Sequence, residues 1–101
     1  TCALPILDES LAQVAVDLSG RAYCNFNAKF NRELIGGMAT EMIPHFFRSF
    51  ADGLGANIHI KVEGENTHHQ VESVFKALGR SLRTAISRSS DGGVPSTKGI
   101  L

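Results

Sequence analysis

The stretch from residue 57 to about residue 88 constrains the fold most, because its apolar residues change from a two-residue to a three- and four-residue period. Gly64 separates the two patterns, and either Asn66 or Thr67 can cap a helix that follows. The first pattern is typical of a half-buried strand and alternates polar residues with Ile58, Ile60 and Val62. The second predicts a helix to about residue 88 whose core face is Val71, Val74, Phe75, Leu78, Leu82, Ala85 and Ile86.

The residues before this stretch predict two more strands and one more helix. Residues 11–18 are apolar and are followed by the turn residues Ser19 and Gly20. A polar and aromatic alternation begins at Arg21, so we expect these two segments to form an antiparallel hairpin. Residues 40–54 carry apolar side chains at helical spacing, with Pro44 in or near the first turn. The order β-β-α-β-α contains no repeat and predicts an α+β fold with both helices packed on one face of the sheet.

Bulk composition limits the classes of protein to which the chain can belong. With 101 residues it is expected to form a single domain over residues 1–101. A net charge of zero and 43% hydrophobic residues argue against a nucleic-acid-binding surface. No membrane-spanning run or signal-peptide pattern is found, and two cysteines fit a reducing cytosol, so we expect a cytoplasmic protein. The chain begins at Thr1, which indicates a processed or trimmed protein, or part of a longer one.

The pattern His-His-x-x-Glu at residues 68–72 points to metal chemistry. On a helix, His68 and Glu72 lie four residues apart on one face, where an imidazole and a carboxylate can bind a divalent metal together. His69 lies about 100° around the helix and would address a different metal or partner. Lys76 extends the His68–Glu72 row by one turn and adds a cation beside it.

Each of these residues also has a structural interpretation when it is taken alone. A histidine at the edge of an apolar helix face is often a satisfied structural residue, and His45 can serve as an interface or capping residue. His59 lies on the polar face of its strand, where a solvated imidazole is expected, and Lys76 can be an ordinary surface lysine. Residues 89–101 read as a loop, although Pro95-Ser96-Thr97-Lys98-Gly99 offers hydroxyl, amide and ammonium groups to an anion.

Taken together and in order, these motifs resemble the imidazoleglycerol-phosphate dehydratase family. Two blocks carry most of the specificity: the His-His-x-x-Glu helix and the Pro-Ser-Thr-Lys run at the end. The matching blocks are residues 5–11 (Pro-Ile-Leu-Asp-Glu-Ser-Leu), 16–21 (Val-Asp-Leu-Ser-Gly-Arg), 40–47 (Thr-Glu-Met-Ile-Pro-His-Phe-Phe), 64–77 (Gly-Glu-Asn-Thr-His-His-Gln-Val-Glu-Ser-Val-Phe-Lys-Ala) and 95–101 (Pro-Ser-Thr-Lys-Gly-Ile-Leu).

The resemblance implies a ribosomal protein S5 domain 2-like fold and a hydro-lyase reaction of histidine biosynthesis, from imidazole glycerol phosphate to imidazole acetol phosphate. Two Mn²⁺ ions per complete active site are implied, acting as Lewis acid and template. The implied metal ligands are His45, His68, His69 and Glu72. The implied phosphate ligands are Arg21, Lys76, Ser96 and Lys98. Catalytic roles near the substrate are implied for Glu72, Asp8 and Glu9.

The family's chains are about twice as long, with two similar halves, and this sequence resembles the second half. We therefore expect it to be part of a longer protein, or to pair with a chain that carries the missing N-terminal half, within a twenty-four-subunit homo-oligomer. The composition predicts no nucleic-acid or membrane partner. Two other hypotheses remain open from the residues: a non-catalytic metal-binding or assembly module, and a metal-free domain that binds a phosphate ligand.

Overall fold

Seven strands and two helices make up the part of the chain that the structure describes. The computed structural model describes residues 2–3, 6–7 and 10–91, with side chains at residues 10–87. In chain order the elements are β1 (Cys2–Ala3), β2 (Ile6–Leu7), β3 (Ser10–Asp17), β4 (Tyr23–Asn27), β5 (Leu34–Ile35), β6 (Met38–Ala39), α1 (Met42–Leu54), β7 (Asn57–Glu63) and α2 (Thr67–Asp91).

The main sheet is mixed, and its strand order is not the order in the chain. β7 lies between β3, to which it is antiparallel, and β4, to which it is parallel. β1 and β2 both pair with the other edge of β3, while β5 and β6 form a separate two-stranded ribbon. The predicted hairpin between β3 and β4 is therefore wrong, because β7 takes the position between them.

One face of the sheet is covered by both helices, as the sequence predicted. Alternate residues of β3 and β7 are fully or almost fully buried, and their neighbours in each strand point to the open face. The helices contribute Phe47 and Ala51 from α1 and Val74 and Leu78 from α2 to the same core. Each strand thus has an apolar face beneath the helices and a polar face outside, as expected for a sheet covered on one side.

Helix α1 begins close to its predicted start and ends at a glycine. Pro44 is its third residue, where no backbone donor is lost to the helix. Gly55 follows the helix with a left-handed backbone (φ 68°), and its N–H contacts the carbonyl groups of Ala51 and Asp52. This arrangement terminates α1 and redirects the chain into β7.

Helix α2 differs from its prediction in length and in part of its core face. It continues to Asp91, three residues beyond the predicted end, so residues 89–91 are helical and not loop. Val74 and Leu78 are buried as predicted, whereas Phe75 is 40% and Ile86 58% exposed. The ring of Phe75 still packs against the buried Phe47 of α1, with ring centroids 5.1 Å apart, so Phe75 is only partly covered. Neither helix of the described chain is long and apolar enough to span a membrane.

Candidate metal centre

Three side chains form a row along the exposed side of α2, one turn apart. His68 Nε2 lies 3.4 Å from Glu72 Oε1, and Lys76 Nζ lies 3.6 Å from Glu72 Oε2. The side chains of these residues are between 42% and 68% exposed. Polar side-chain contacts this exposed contribute little to stability, so the row is not explained by the folding energy it provides.

The spacing of His68 and Glu72 suits two ligands of one divalent ion. Ligands about 2.1 Å from a metal are separated by about 3.0 Å in octahedral and about 3.4 Å in tetrahedral geometry. The distance of 3.4 Å between His68 Nε2 and Glu72 Oε1 therefore needs little adjustment. Imidazole and carboxylate are also a donor pair that divalent transition metals accept.

His69 is directed differently from its neighbour. It is half-buried, and its ring centroid lies 6.2 Å from that of His68 at an interplanar angle of 69°. Its backbone carbonyl accepts a 2.6 Å hydrogen bond from Ser73 Oγ. The planes of the two imidazoles are therefore steeply inclined to each other.

The first turn of α2 is fixed by side chains from two parts of the chain. Asn66 Oδ1 accepts a hydrogen bond from the backbone N–H of His69 at 3.0 Å, so Asn66 is the N-cap. Thr67 Oγ1 donates to Asn31 Oδ1 at 2.7 Å, and Gln70 Nε2 donates to the Lys29 carbonyl at 3.3 Å. The sequence anticipated the cap, but it gave no sign that residues 29 and 31 would hold this helix.

The remaining predicted ligands do not join this row. His45 is exposed on α1, and the described residues contain no group of three or more His, Cys, Asp or Glu side chains arranged to hold a metal. Among the described residues, His68 and Glu72 are thus a pair of adjacent donors and not a complete metal sphere. Asp8, Glu9, Ser96 and Lys98 lie outside the described residues.

Arg21 lies at the opposite end of the sheet from the start of α2. It precedes β4, whose first residue Tyr23 pairs with Asn57 at the beginning of β7. Helix α2 starts only after β7 has ended at Glu63, about 20 Å away along the strand. The structure thus does not bring Arg21 beside His68 within one chain.

The open face of the sheet carries a shallow polar groove. His59 lies there, exposed as predicted, with its ring centroid 5.6 Å from that of Tyr23. The groove is separated from α2 by the sheet itself, so it is not part of the His68–Glu72 row. Its lining includes Gln13, Asn25, Asn27, His59 and Lys61.

Cys24 is a half-buried strand residue, as predicted. Burial raises the pKa of its thiol above the ordinary value, and Asp52 acts in the same direction, while Arg48 opposes the shift. A raised pKa lowers the fraction of the reactive thiolate at neutral pH.

Comparison with known proteins identifies relatives over most of the chain. The family model of imidazoleglycerol-phosphate dehydratase matches residues 1–82. The histidine biosynthesis bifunctional protein HisB of Legionella pneumophila is 60% identical over 95 residues. The imidazoleglycerol-phosphate dehydratase of Prosthecochloris aestuarii is 53% identical over 96 residues. Both alignments cover 94% of this chain.

The fold matches solved structures of the same family. The dehydratase of Staphylococcus aureus aligns with a TM-score of 0.78 and 41% identity over 80% of this chain. The Pyrococcus furiosus structure aligns with a TM-score of 0.81 and 40% sequence identity over 99% of this chain. The chain spans 48% and 56% of these two structures, and 48% of the Prosthecochloris and 27% of the Legionella protein.

Proposed function

Because the chain belongs to the imidazoleglycerol-phosphate dehydratase family, we propose that it supplies part of a manganese-dependent active site that dehydrates imidazole glycerol phosphate to imidazole acetol phosphate in histidine biosynthesis. The observation that carries the proposal is the row of His68, Glu72 and Lys76 on α2. It combines two metal donors, 3.4 Å apart, with a cation one turn further on. Neither a phosphate-binding domain nor a structural metal site would need all three.

The three side chains have separate tasks in this proposal. His68 and Glu72 hold one Mn²⁺ ion, and His69 and His45 contribute to metal sites that other chain segments complete. When bound, the ions supply Lewis acidity and orientation at the imidazole of the substrate. The dehydration breaks the C–O bond of the hydroxyl on the carbon beside the ring and the C–H bond of the next carbon, releases water and gives an enol that becomes the ketone. Catalytic proton transfers by Glu72, Asp8 and Glu9 remain part of the proposal.

Lys76 binds the phosphate group of the substrate in this arrangement. Its ammonium lies 3.6 Å from the Glu72 carboxylate, so the anion it attracts is held about one helical turn from the metal. We assign Arg21, Ser96 and Lys98 to phosphate binding as well. Because Arg21 lies near the far end of the sheet, it would serve a site completed by another chain or chain segment.

The chain needs a companion for this activity. The His68–Glu72 row offers two donors, and no larger group of donors is present among the described residues. The outer side of the two helices also exposes apolar side chains, most of all Met42, Phe46, Leu54, Phe75 and Ile86, each at least 40% exposed. An apolar surface of this kind is typical of a face that another polypeptide covers. We propose that the remaining half of the enzyme covers it, within a twenty-four-subunit cytoplasmic assembly.

Manganese binding by the chain tests the assignment of ligands. Free Mn²⁺ is measured by electron paramagnetic resonance during titration of the wild type and of His68→Ala and Glu72→Gln. Each substitution removes one of two adjacent donors, so we expect the affinity to fall by about tenfold or more. His59→Ala is the matched control, because it removes another exposed histidine, on the opposite side of the sheet.

Two results would argue against the proposed function. One is a wild-type chain that binds no Mn²⁺ at millimolar concentration. The other is an affinity that falls equally in His59→Ala and His68→Ala, which would indicate unspecific binding to surface histidines.

A further inference from the structure

We propose that Asn31 is a positioning residue that holds the first turn of α2 in the orientation in which His68 and His69 bind metal. Asn31 lies in the strap, defined as residues 29–33 between β4 and β5. This inference rests on the proposed function, because it assigns a metal-binding purpose to the helix start.

Asn31 bridges the two residues on either side of the N-cap of α2. Its Nδ2 donates to the carbonyl of Glu65 at 2.7 Å, and its Oδ1 accepts from Thr67 Oγ1 at 2.7 Å. One planar amide thus supplies the donor and the acceptor that these two groups require. Asn66, which lies between them, is the residue that caps the N–H of His69.

The strap is itself anchored, so it can act as a fixed reference for the helix. Thr40 Oγ1 donates to the Arg32 carbonyl at 2.8 Å, and the Thr40 N–H donates to the Glu33 carbonyl at 2.9 Å. On the core side, the ring of Phe30 lies 6.1 Å from that of Phe26 in β4. The strap therefore connects the start of α2 with β4 and with Thr40, which lies two residues before α1.

A second contact on the same strap restrains the rotation of α2. Gln70 Nε2 donates to the Lys29 carbonyl, and Gln70 is only 2% exposed. Thr67 and Gln70 are thus both held by the strap, on the buried side of the first turn. His68 and His69 lie between them in sequence, so their Cα positions and the directions of their side chains are set by the same contacts.

Four variants test the role of Asn31. Thr67→Val keeps the shape of a side chain that is 1% exposed but removes its hydroxyl, whereas Thr67→Ser keeps the hydroxyl. Asn31→Ala removes both bonds of the bridge. Asn25→Ala is the control, because it removes an exposed amide of β4 on the open face of the sheet.

Two measurements are made under conditions in which circular dichroism shows every variant folded. They are the hydrogen-exchange rates of the His69 and Gln70 amides and the affinity for Mn²⁺ by electron paramagnetic resonance. For Thr67→Val we expect faster exchange and weaker Mn²⁺ binding, each by about fivefold, as the loss of one net hydrogen bond implies. For Asn31→Ala, which removes both bonds of the bridge, we expect both effects to be at least as large. Thr67→Ser and Asn25→Ala should match the wild type in both.

The outcomes separate this inference from the proposed function. Unchanged exchange in Asn31→Ala and Thr67→Val would overturn the bridge itself, whether or not the chain binds metal. Faster exchange without any loss of Mn²⁺ affinity would overturn the positioning role and leave a purely structural one. A wild type that binds no Mn²⁺ would refute the proposed function and the metal-positioning role, while the exchange rates would still decide whether the bridge exists.

Discussion

At Gly64 the chain passes closer to its own sheet than a side chain would permit. A Cβ atom on Gly64 would lie 2.4 Å from Ser10 Oγ and 3.0 Å from Ser10 Cα. Ser10 is fully buried, so it has little room to move away. The backbone of Gly64 also has a φ of 150°, which other residues rarely adopt. This close approach sets the direction in which the chain leaves β7 toward α2.

Gly64→Ala should therefore destabilise the fold by about 2–4 kcal/mol, through the clash with Ser10 and the strained backbone. Gly79→Ala is the control, since a Cβ at this exposed position of α2 meets nothing within 4 Å. That substitution should stabilise the chain by about 0.5–1 kcal/mol, because alanine favours the helix. Urea unfolding of both variants measures the difference. Equal midpoints would show that Gly64 is not constrained.

At the scale of elements, a buried hydrogen bond joins α2 to the middle of the sheet. Ser81 Oγ donates to the Val14 carbonyl of β3 at 3.0 Å, and both residues are fully buried. Ser81 lies on the buried side of the helix among Val74, Ala77 and Leu78. The contact fixes the position of α2 along the direction of β3. It therefore also fixes the distance of the His68–Glu72 row from the end of the sheet.

Ser81→Ala should lower the free energy of unfolding by about 1 kcal/mol, the usual net value of one such hydrogen bond. Thr84→Ala provides the comparison, because Thr84 Oγ1 donates only to the Arg80 carbonyl of its own helix and is exposed. Removing that bond should change stability by less than about 0.5 kcal/mol. Chemical denaturation distinguishes the two, and a Ser81→Ala variant as stable as Thr84→Ala would contradict the role of the buried bond.

Local patterns predicted β3, β4, β7 and both helices, but neither the two-residue strands β1, β2, β5 and β6 nor how the strands pair. The alternation of Ile58, Ile60 and Val62 and the helical spacing after Asn66 were sufficient for β7 and α2. The neighbour of β3 was predicted wrongly, because the turn at Ser19 and Gly20 is equally compatible with a crossover. A central position in the sheet favours a strand with a fully buried face such as β7, whereas β4 is only half-buried on that face and lies at the edge. Such a preference acts between distant segments and leaves no local sign in the sequence.

The candidate site was also predicted only in part, because local contacts follow from the sequence pattern and long-range contacts do not. The row of His68, Glu72 and Lys76 follows from helix periodicity alone, and its spacing is confirmed by the structure. The bridge by Asn31 could not be predicted, because it spans 34 and 36 residues of sequence to its partners. Phe75 was expected in the core, since periodicity gives the width of an apolar stripe but not the edge that the sheet covers.

At the scale of the whole molecule, the two outer surfaces differ in character. The open face of the sheet is mainly polar, with Gln13, His59 and Lys61 among its residues, and it also exposes Leu11 and Tyr23. The outer side of the helices carries an aromatic patch, defined as Phe46, Phe50 and Phe75, in which the ring of Phe46 lies 5.9 Å from Phe50 and 5.6 Å from Phe75. This asymmetry supports a companion on the helix side. It also agrees with relatives in which this chain spans 48% of the dehydratase and 27% of the bifunctional protein.

The most direct test of the central claim is reconstitution of dehydratase activity. This chain is mixed with a companion chain that corresponds to the rest of the Prosthecochloris aestuarii dehydratase, and formation of imidazole acetol phosphate is followed with and without Mn²⁺. We predict Mn²⁺-dependent turnover by the mixture, its loss with His68→Ala and its retention with His59→Ala. Turnover that persists in His68→Ala, or that does not depend on the divalent ion, would contradict the claim that helix α2 supplies the metal ligands of the active site.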